Sequence, residues 1–220
     1  MTTLSDSATA QGGTRTGTRN SDTSATSAAS ETNGDIAFES SPEDVMAALV
    51  AQELVEAGGY VLFREDYAWF EGTGNWFTPL ARQQSRQDVV MAGELTFRYG
   101  ASDEFQACGL MARINTDANG STITQTEFGV TGSGDAYVFD ADFDNRLFDA
   151  YYEPIRFDSG ESVHVILVLR GGLATLFVDG ERVLSKVKMD TRSGSFGIGL
   201  TSTTPEARCE GRDIWVWAWE

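Results

Sequence analysis

Apolar positions recur along the chain with two different periods. Val45, Met46, Leu49, Val50 and Leu54 return at helical spacing, the stripe that an amphipathic helix presents to a core. Ser41 stands before them as a cap, Pro42 takes the first helical position, and Glu43 and Asp44 complement the positive end of the macrodipole. Gly58-Gly59 supply a left-handed stop. This pattern predicts one short helix over 42–57, with one apolar side that docks on the downstream domain. From Tyr60 the period becomes two. Segments 60–64, 94–99, 107–114, 122–130, 137–143, 163–170, 173–178, 181–184, 195–201 and 214–219 read as strands. Asp117-Ala118-Asn119-Gly120, Gly171-Gly172 and Asp179-Gly180 read as the turns between them.

Short strands at even spacing with Gly and Asp turns predict an all-β protein, an antiparallel two-sheet sandwich preceded by one short helix. No repeat of 20–50 residues is visible, which argues against a propeller or solenoid. Upstream the composition changes. Residues 1–37 are mostly Ser, Thr, Ala, Gly, Asn and Asp. Such a segment buries too little apolar surface to offset the entropy of ordering it, and is expected to be a disordered tail. The chain therefore divides into a tail at 1–37, a helical segment at 38–59 that docks on the sandwich, and a sandwich domain at 60–220.

Charge narrows the partners. The 220 residues carry 33 acidic and 16 basic side chains, a formal charge of −17. That balance disfavours nucleic acid, whose phosphates need a basic face, and equally an anionic membrane surface. No apolar run approaches the length of a transmembrane helix, and no signal peptide is read in the chain as it stands.

The order of several segments is familiar. Gly93-Glu-Leu-Thr-Phe97, Cys108-Gly-Leu-Met-Ala-Arg113 and Val163-His-Val-Ile-Leu-Val-Leu-Arg170 resemble successive strands of the concanavalin A-like lectin/glucanase superfamily, the LamG-like jelly rolls in particular. Leu173-Ala-Thr-Leu-Phe-Val-Asp-Gly-Glu-Arg-Val183 is similar to that family's hairpin. Gly194-Ser-Phe-Gly-Ile-Gly199 resembles its glycine-punctuated strand, and Asp213-Ile-Trp-Val-Trp217 its closing strand. The resemblance covers 60–220. It implies a curved jelly roll whose concave face or rim loops hold carbohydrate, in a superfamily that spans lectins, hydrolases and adhesion modules. It also points toward an extracellular or cell-surface setting. There Cys108 and Cys209, the two cysteines of the chain, would pair; in a reducing compartment they would be two buried thiols.

Complete catalytic motifs are missing. His164 is the single histidine, so paired-His metal sites are impossible, and there is no G-x-S-x-G elbow. Glycosidases of the resembled superfamily alternate acidic residues along one strand, and the nearest segment here is Asp140-Ala-Asp142-Phe-Asp144. Alternation puts these three carboxylates on one face, opposite Tyr137, Phe139 and Phe143. They suit a solvated outer face, a calcium site, or hydrogen bonds to a sugar. Trp215, Trp217 and Trp219 also share a face, either as a sugar platform or as a buried row under the helix. Trp69 and Trp76 flank a Gly-rich, loop-like stretch at 71–75 and are candidate ligand contacts. Arg113 either bonds a ligand or pairs with a cross-strand carboxylate. The candidate ligand-binding residues are Trp69, Trp76, Arg113, Tyr137, Asp140 and Asp142. The expected function is a non-catalytic binding module with carbohydrate or another protein as partner, and no cofactor beyond the calcium alternative at Asp140, Asp142 and Asp144. A glycan hydrolase of the same fold, or an assembly protein that engages a partner through its N-terminal region, is the alternative.

Overall fold

Alternating side chains on an extended backbone produce two faces, and this chain buries one face of nearly every strand. In a computed structural model, residues 36, 41–100, 105–119, 121–190 and 193–219 are described, with only the backbone of residues 75, 76 and 81–83. Apart from Ile36, the expected tail at 1–37 lies outside the described residues. The elements in order are α1 (Pro42–Ala51), β1 (Tyr60–Glu71), β2 (Gly74–Arg86), β3 (Val89–Arg98), β4 (Ala107–Thr116), β5 (Thr122–Thr131) and β6 (Asp135–Asp142), then β7 (Leu147–Pro154), β8 (Ser162–Arg170), β9 (Leu173–Val178), β10 (Glu181–Lys188), β11 (Gly194–Ser202) and β12 (Arg208–Ala218). The strands form two six-stranded sheets. The first has the order β1-β12-β3-β8-β9-β10 and the second β2-β11-β4-β5-β6-β7. Every pairing described is antiparallel. The protein is a jelly-roll sandwich. No helix among the described residues is long and apolar enough to cross a membrane.

The core lies between the sheets. Met91, Leu95, Phe97, Val165 and Leu167 from the first sheet meet Leu110, Phe128, Val138, Phe196 and Ile198 from the second, all fully buried. Cys108 on β4 and Cys209 on β12 are bonded across this core, with Cα atoms 5.2 Å apart and a sequence separation of 101. Closing a loop of that length stabilises the fold by roughly 4–5 kcal/mol in the chain-entropy account. Asp179 and Gly180 both have positive φ, 46° and 85°, the geometry that a two-residue hairpin turn requires between β9 and β10.

Several boundaries differ from the sequence reading, each for a physical reason. The stretch at 71–75 is a short reversal and not an extended loop. Gly72 and Gly74 have φ of 126° and 114°, and the reversal they make carries the chain from β1 in the first sheet to β2 in the second. Trp69 and Trp76 are therefore strand residues. β3 begins at Val89, before the alternation starts, because the run Val89-Val90-Met91-Ala92 is buried on both sides: Met91 in the core, Val90 and Ala92 under α1. β7 escaped notice because Leu147, Phe148 and Tyr152 are exposed on an edge strand, so its burial pattern is weak.

α1 is shorter than the predicted 42–57. Its capping box is formed as the sequence suggests: Asp44 N–H donates to Ser41 Oγ at 3.3 Å, and Ser41 N–H donates to Asp44 Oδ2 at 3.3 Å. The helix ends at Ala51, and Gly58 and Gly59 instead shape the entry to β1. A Cβ at Gly59 would collide with the Trp217 indole. Val45, Met46 and Leu49 pack on Val90, Ala92, Ile166, Val168, Phe177 and Trp215, which are the outer face of the first sheet. The segment after the helix completes the cover. Trp217 Nε1 donates to Gly58 O at 3.1 Å and Trp219 Nε1 to Glu56 O at 3.2 Å. The tryptophan row is thus a packing surface and not an open platform.

Candidate functional site

The outer face of the second sheet has no such cover among the described residues. Cross-strand register explains what stands on it. Glu127 on β5 pairs with Phe139 on β6, Gly129 with Tyr137, and Tyr137 in turn with Tyr152 on β7. Directly opposed residues point to the same side, so Gln125, Glu127, Tyr137, Phe139, Phe148 and Tyr152 share the outer face, while Thr126, Phe128 and Val138 turn inward. Phe77 from β2, Met111 from β4 and Phe105, just before β4, add to it. All of these except Phe148 line a groove of about 420 Å³; Phe148 stands beside it, packed on the lining residues Phe139 and Phe143.

The groove is mostly aromatic. Phe105, Tyr137 and Tyr152 form a triad with centroids 6.4 Å apart in each pair; the two tyrosines are stacked and Phe105 stands edge-on to both. Phe139 stacks with Phe148 at 6.3 Å, and Phe148 meets Phe143 edge-on at 5.6 Å. Phe105, Phe148 and Tyr152 remain about half exposed, at 50%, 53% and 48%. Aromatic surface of this extent at the exterior is a mark of an interaction site.

Its floor is polar. Tyr137 Oη donates to Glu127 Oε1 at 2.5 Å, and both residues are buried. Gln125 Nε2 lies 3.5 Å from the other carboxylate oxygen. Burial pushes the Glu127 carboxyl above its ordinary pKa, an effect that the Tyr137 hydrogen bond opposes. Burial, followed by the nearby Glu127 charge, holds the Tyr137 phenol well above its usual value. The pair exists because β4 has a glycine beneath it. A Cβ at Gly109 would lie 2.5 Å from Tyr137 Oη and 3.1 Å from Glu127 Cγ.

Of the six residues singled out from the sequence, Tyr137 lies in this groove. Trp69 is on the opposite side of the sandwich, on the outer face of β1, 52% exposed, with the Arg208 guanidinium 4.7 Å above its ring. Trp76 is placed only by its backbone, opposite Leu200 in β11; its side chain lies outside the described residues. Arg113 is fully buried and cannot contact a ligand. It adopts a positive φ of 55° at a break in the β4–β5 register, and its Nε and Nη2 donate to Gln87 O at 3.2 and 2.8 Å. Asp140 is also buried, facing inward from β6, where it accepts from Thr126 Oγ1 and from Asp190 N, both at 2.6 Å. It is neither a solvated stripe nor a sugar contact, because the alternation of β6 turns Tyr137 and Phe139 outward and so turns Asp140 in. Asp142 anchors the β6–β7 turn by accepting from Asn145 N and Nδ2 at 3.0 and 2.7 Å, bonds that lower its pKa. Asp140 and Asp142 share a face of β6, but their carboxylates are engaged separately, one by Thr126 and the Asp190 amide and the other by Asn145, and no group of three or more potential metal ligands occurs among the described residues.

Glu127, Phe105 and Tyr152 escaped the sequence reading. Glu127 could have been found as the acid of β5 facing the same side as Tyr137 once β5 and β6 were aligned. Phe105 had no such signal, because it precedes its strand.

Comparison with solved structures supports the architecture. The fold is similar to the carbohydrate-binding module CBM66 from Bacillus subtilis, with a TM-score of 0.54 and 14% identity over 73% of this chain and 96% of that one. It is similar to a Bacillus subtilis protein of unknown function with a galectin-like fold, with a TM-score of 0.51 and 10% identity over 72% and 96% of the two chains. It is also similar to a prokaryotic β-1,3-1,4-glucanase (lichenase) derived from a mouse hindgut metagenome, with a TM-score of 0.51 and 8% identity over 74% and 88%. The protein therefore has the concanavalin A-like, galectin-type jelly-roll fold. No protein-family model matches the sequence, and no curated protein does.

Proposed function

We propose that this protein is a non-catalytic carbohydrate-binding module that holds its ligand in the aromatic groove on the outer face of the second sheet. The observation that carries this reading is the combination of exposed rings, Phe105, Tyr152 and Phe148, with one convergent polar pair, Glu127 and Tyr137. Rings stack on the C–H faces of pyranoses, and a few placed polar groups fix their orientation. The name of the CBM66 neighbour agrees with this use of the fold. The hydrolase alternative needs two carboxylates about 5–10 Å apart across the scissile bond. Glu127 is the single carboxylate among the described residues that line the groove. The Cys108–Cys209 bond supports an extracellular or cell-surface setting, where disulfides persist.

A glycan array followed by affinity measurement on the full chain tests the reading. Retention of at least one glycan class without release of reducing sugar is expected. Tyr152→Ala is expected to weaken that binding about tenfold while leaving the fold intact, since stacking on one ring contributes about that much. Failure to retain any glycan, or measurable hydrolysis, overturns it.

A further inference from the structure

Glu127 brings a carboxyl group into the groove that no described cation faces. The residue is 8% exposed, and the hydrogen bonds its carboxylate receives come from a phenol and a carboxamide, Tyr137 Oη at 2.5 Å and Gln125 Nε2 at 3.5 Å. No lysine, arginine or histidine is among the described residues that line the groove. A carboxylate held this far from water without a counter-charge is costly, and a cation brought by a ligand would relieve that cost.

The rings above it select for the same chemistry. Phe105, Tyr137 and Tyr152 stand with all three centroid separations at 6.4 Å, the tyrosines 27° apart and Phe105 at 83° and 81° to them. Tyr137 is buried at the base, and its hydroxyl is the one that holds Glu127. Phe105 and Tyr152 are half exposed beside it. Ring faces carry the negative end of the aromatic quadrupole, so a positive group among them gains from each ring as well as from the carboxylate below. The charge of −17 on the whole chain adds a long-range field of the same sign. A sulfated or uronic glycan meets repulsion here at every range, and a neutral glycan leaves Glu127 without a counter-ion.

We propose that Phe105, Tyr137, Tyr152 and Glu127 form a subsite for an organic ammonium group. The inference rests on the carbohydrate reading for its ligand, which is then a glycan bearing free amino groups. The ammonium sits against the Phe105 and Tyr152 rings and donates toward the Glu127 carboxylate, while the rest of the sugar extends along Phe139 and Phe148.

The test titrates the full chain calorimetrically with a glucosamine oligosaccharide, with its fully N-acetylated counterpart, and with tetramethylammonium as a sugar-free probe. The free-amine oligosaccharide is expected to bind about tenfold or more tightly than the acetylated one, the scale of a partly desolvated cation–ring contact. Glu127→Gln is expected to erase that preference without lowering the unfolding midpoint. Phe105→Ala, at a position outside the strands, is expected to reduce affinity for the amine and for tetramethylammonium alike. Equal affinity for the two oligosaccharides, or a preference that survives Glu127→Gln, overturns the ammonium subsite and leaves the carbohydrate reading standing. Binding of tetramethylammonium with no response to either oligosaccharide supports the subsite and overturns its carbohydrate occupant.

Discussion

Both outer faces of the sandwich carry large apolar side chains, yet α1 packs over those of one, leaving a cleft of about 340 Å³ beside it, while no described helix covers those of the other. On the first sheet, Val90, Ile166, Phe177 and Trp215 are covered by Val45, Met46 and Leu49 of α1, and the indoles of Trp217 and Trp219 are tied to the backbone at Gly58 and Glu56. On the second sheet, Phe105, Phe148 and Tyr152 remain about half exposed above a buried acid–phenol pair. Aromatic content does not separate a site from a structural surface here. The separation comes from what the chain itself places on top, and from the polar group at the base. Trp215 has an intramolecular partner for its apolar area, whereas Tyr152 and Phe105 have one another.

The contrast predicts opposite responses to truncation. Trp215→Ala removes a buried ring packed against α1, and should cost about 3–5 kcal/mol in urea unfolding. A loss below about 1 kcal/mol would show that α1 contributes nothing as a cover and would dissolve the distinction between the faces. Glu127→Gln on the open face should instead stabilise the protein at neutral pH. The folded-state pKa of Glu127 is raised, so the native state holds its proton more tightly than the unfolded chain does. Its contribution to stability is most favourable below the ordinary carboxylate pKa and is lost as pH rises through the raised value. The gain in unfolding midpoint on Glu127→Gln should therefore be present at pH 7 and fade on acidification below that value; a gain constant with pH would assign it to packing and not to charge. The smallest effect is expected for Phe148→Ala. This ring is 53% exposed, and its loss should change stability by less than about 1 kcal/mol. A larger cost would mean that the open face is structural after all.

Much of the architecture can be read from residue order. The period-two segments, the Asp179-Gly180 turn and the Ser41 cap with its Pro42 and acidic first turn all follow from local backbone chemistry, which acts over a few residues and so is written in them. β2 and β7 are harder to read. One enters through a glycine-flanked crossing between sheets, and the other is an edge strand whose exposed aromatics blur the alternation. Of the candidate site, Tyr137 was legible and Glu127, Phe105 and Tyr152 were not. Arg113 and Asp140 are buried polar residues whose partners could not be read from the strand pattern. Arg113 found the Gln87 carbonyl and Asp140 found Thr126 and the Asp190 amide, partners distant in sequence.

By itself the sequence determined which side chains share a face, because alternation along an extended backbone is a property of each strand alone. It placed Trp215 with Trp217 and Trp219, and Asp140 with Asp142, without ambiguity. Tertiary structure decided which of two faces looks inward, which outer face α1 covers, and which strands lie side by side, since those depend on pairings between segments tens of residues apart. The groove belongs to that second kind of information. Its acid comes from β5, its phenols from β6 and β7 and its free edge from Phe105, and only the register of the second sheet brings them together.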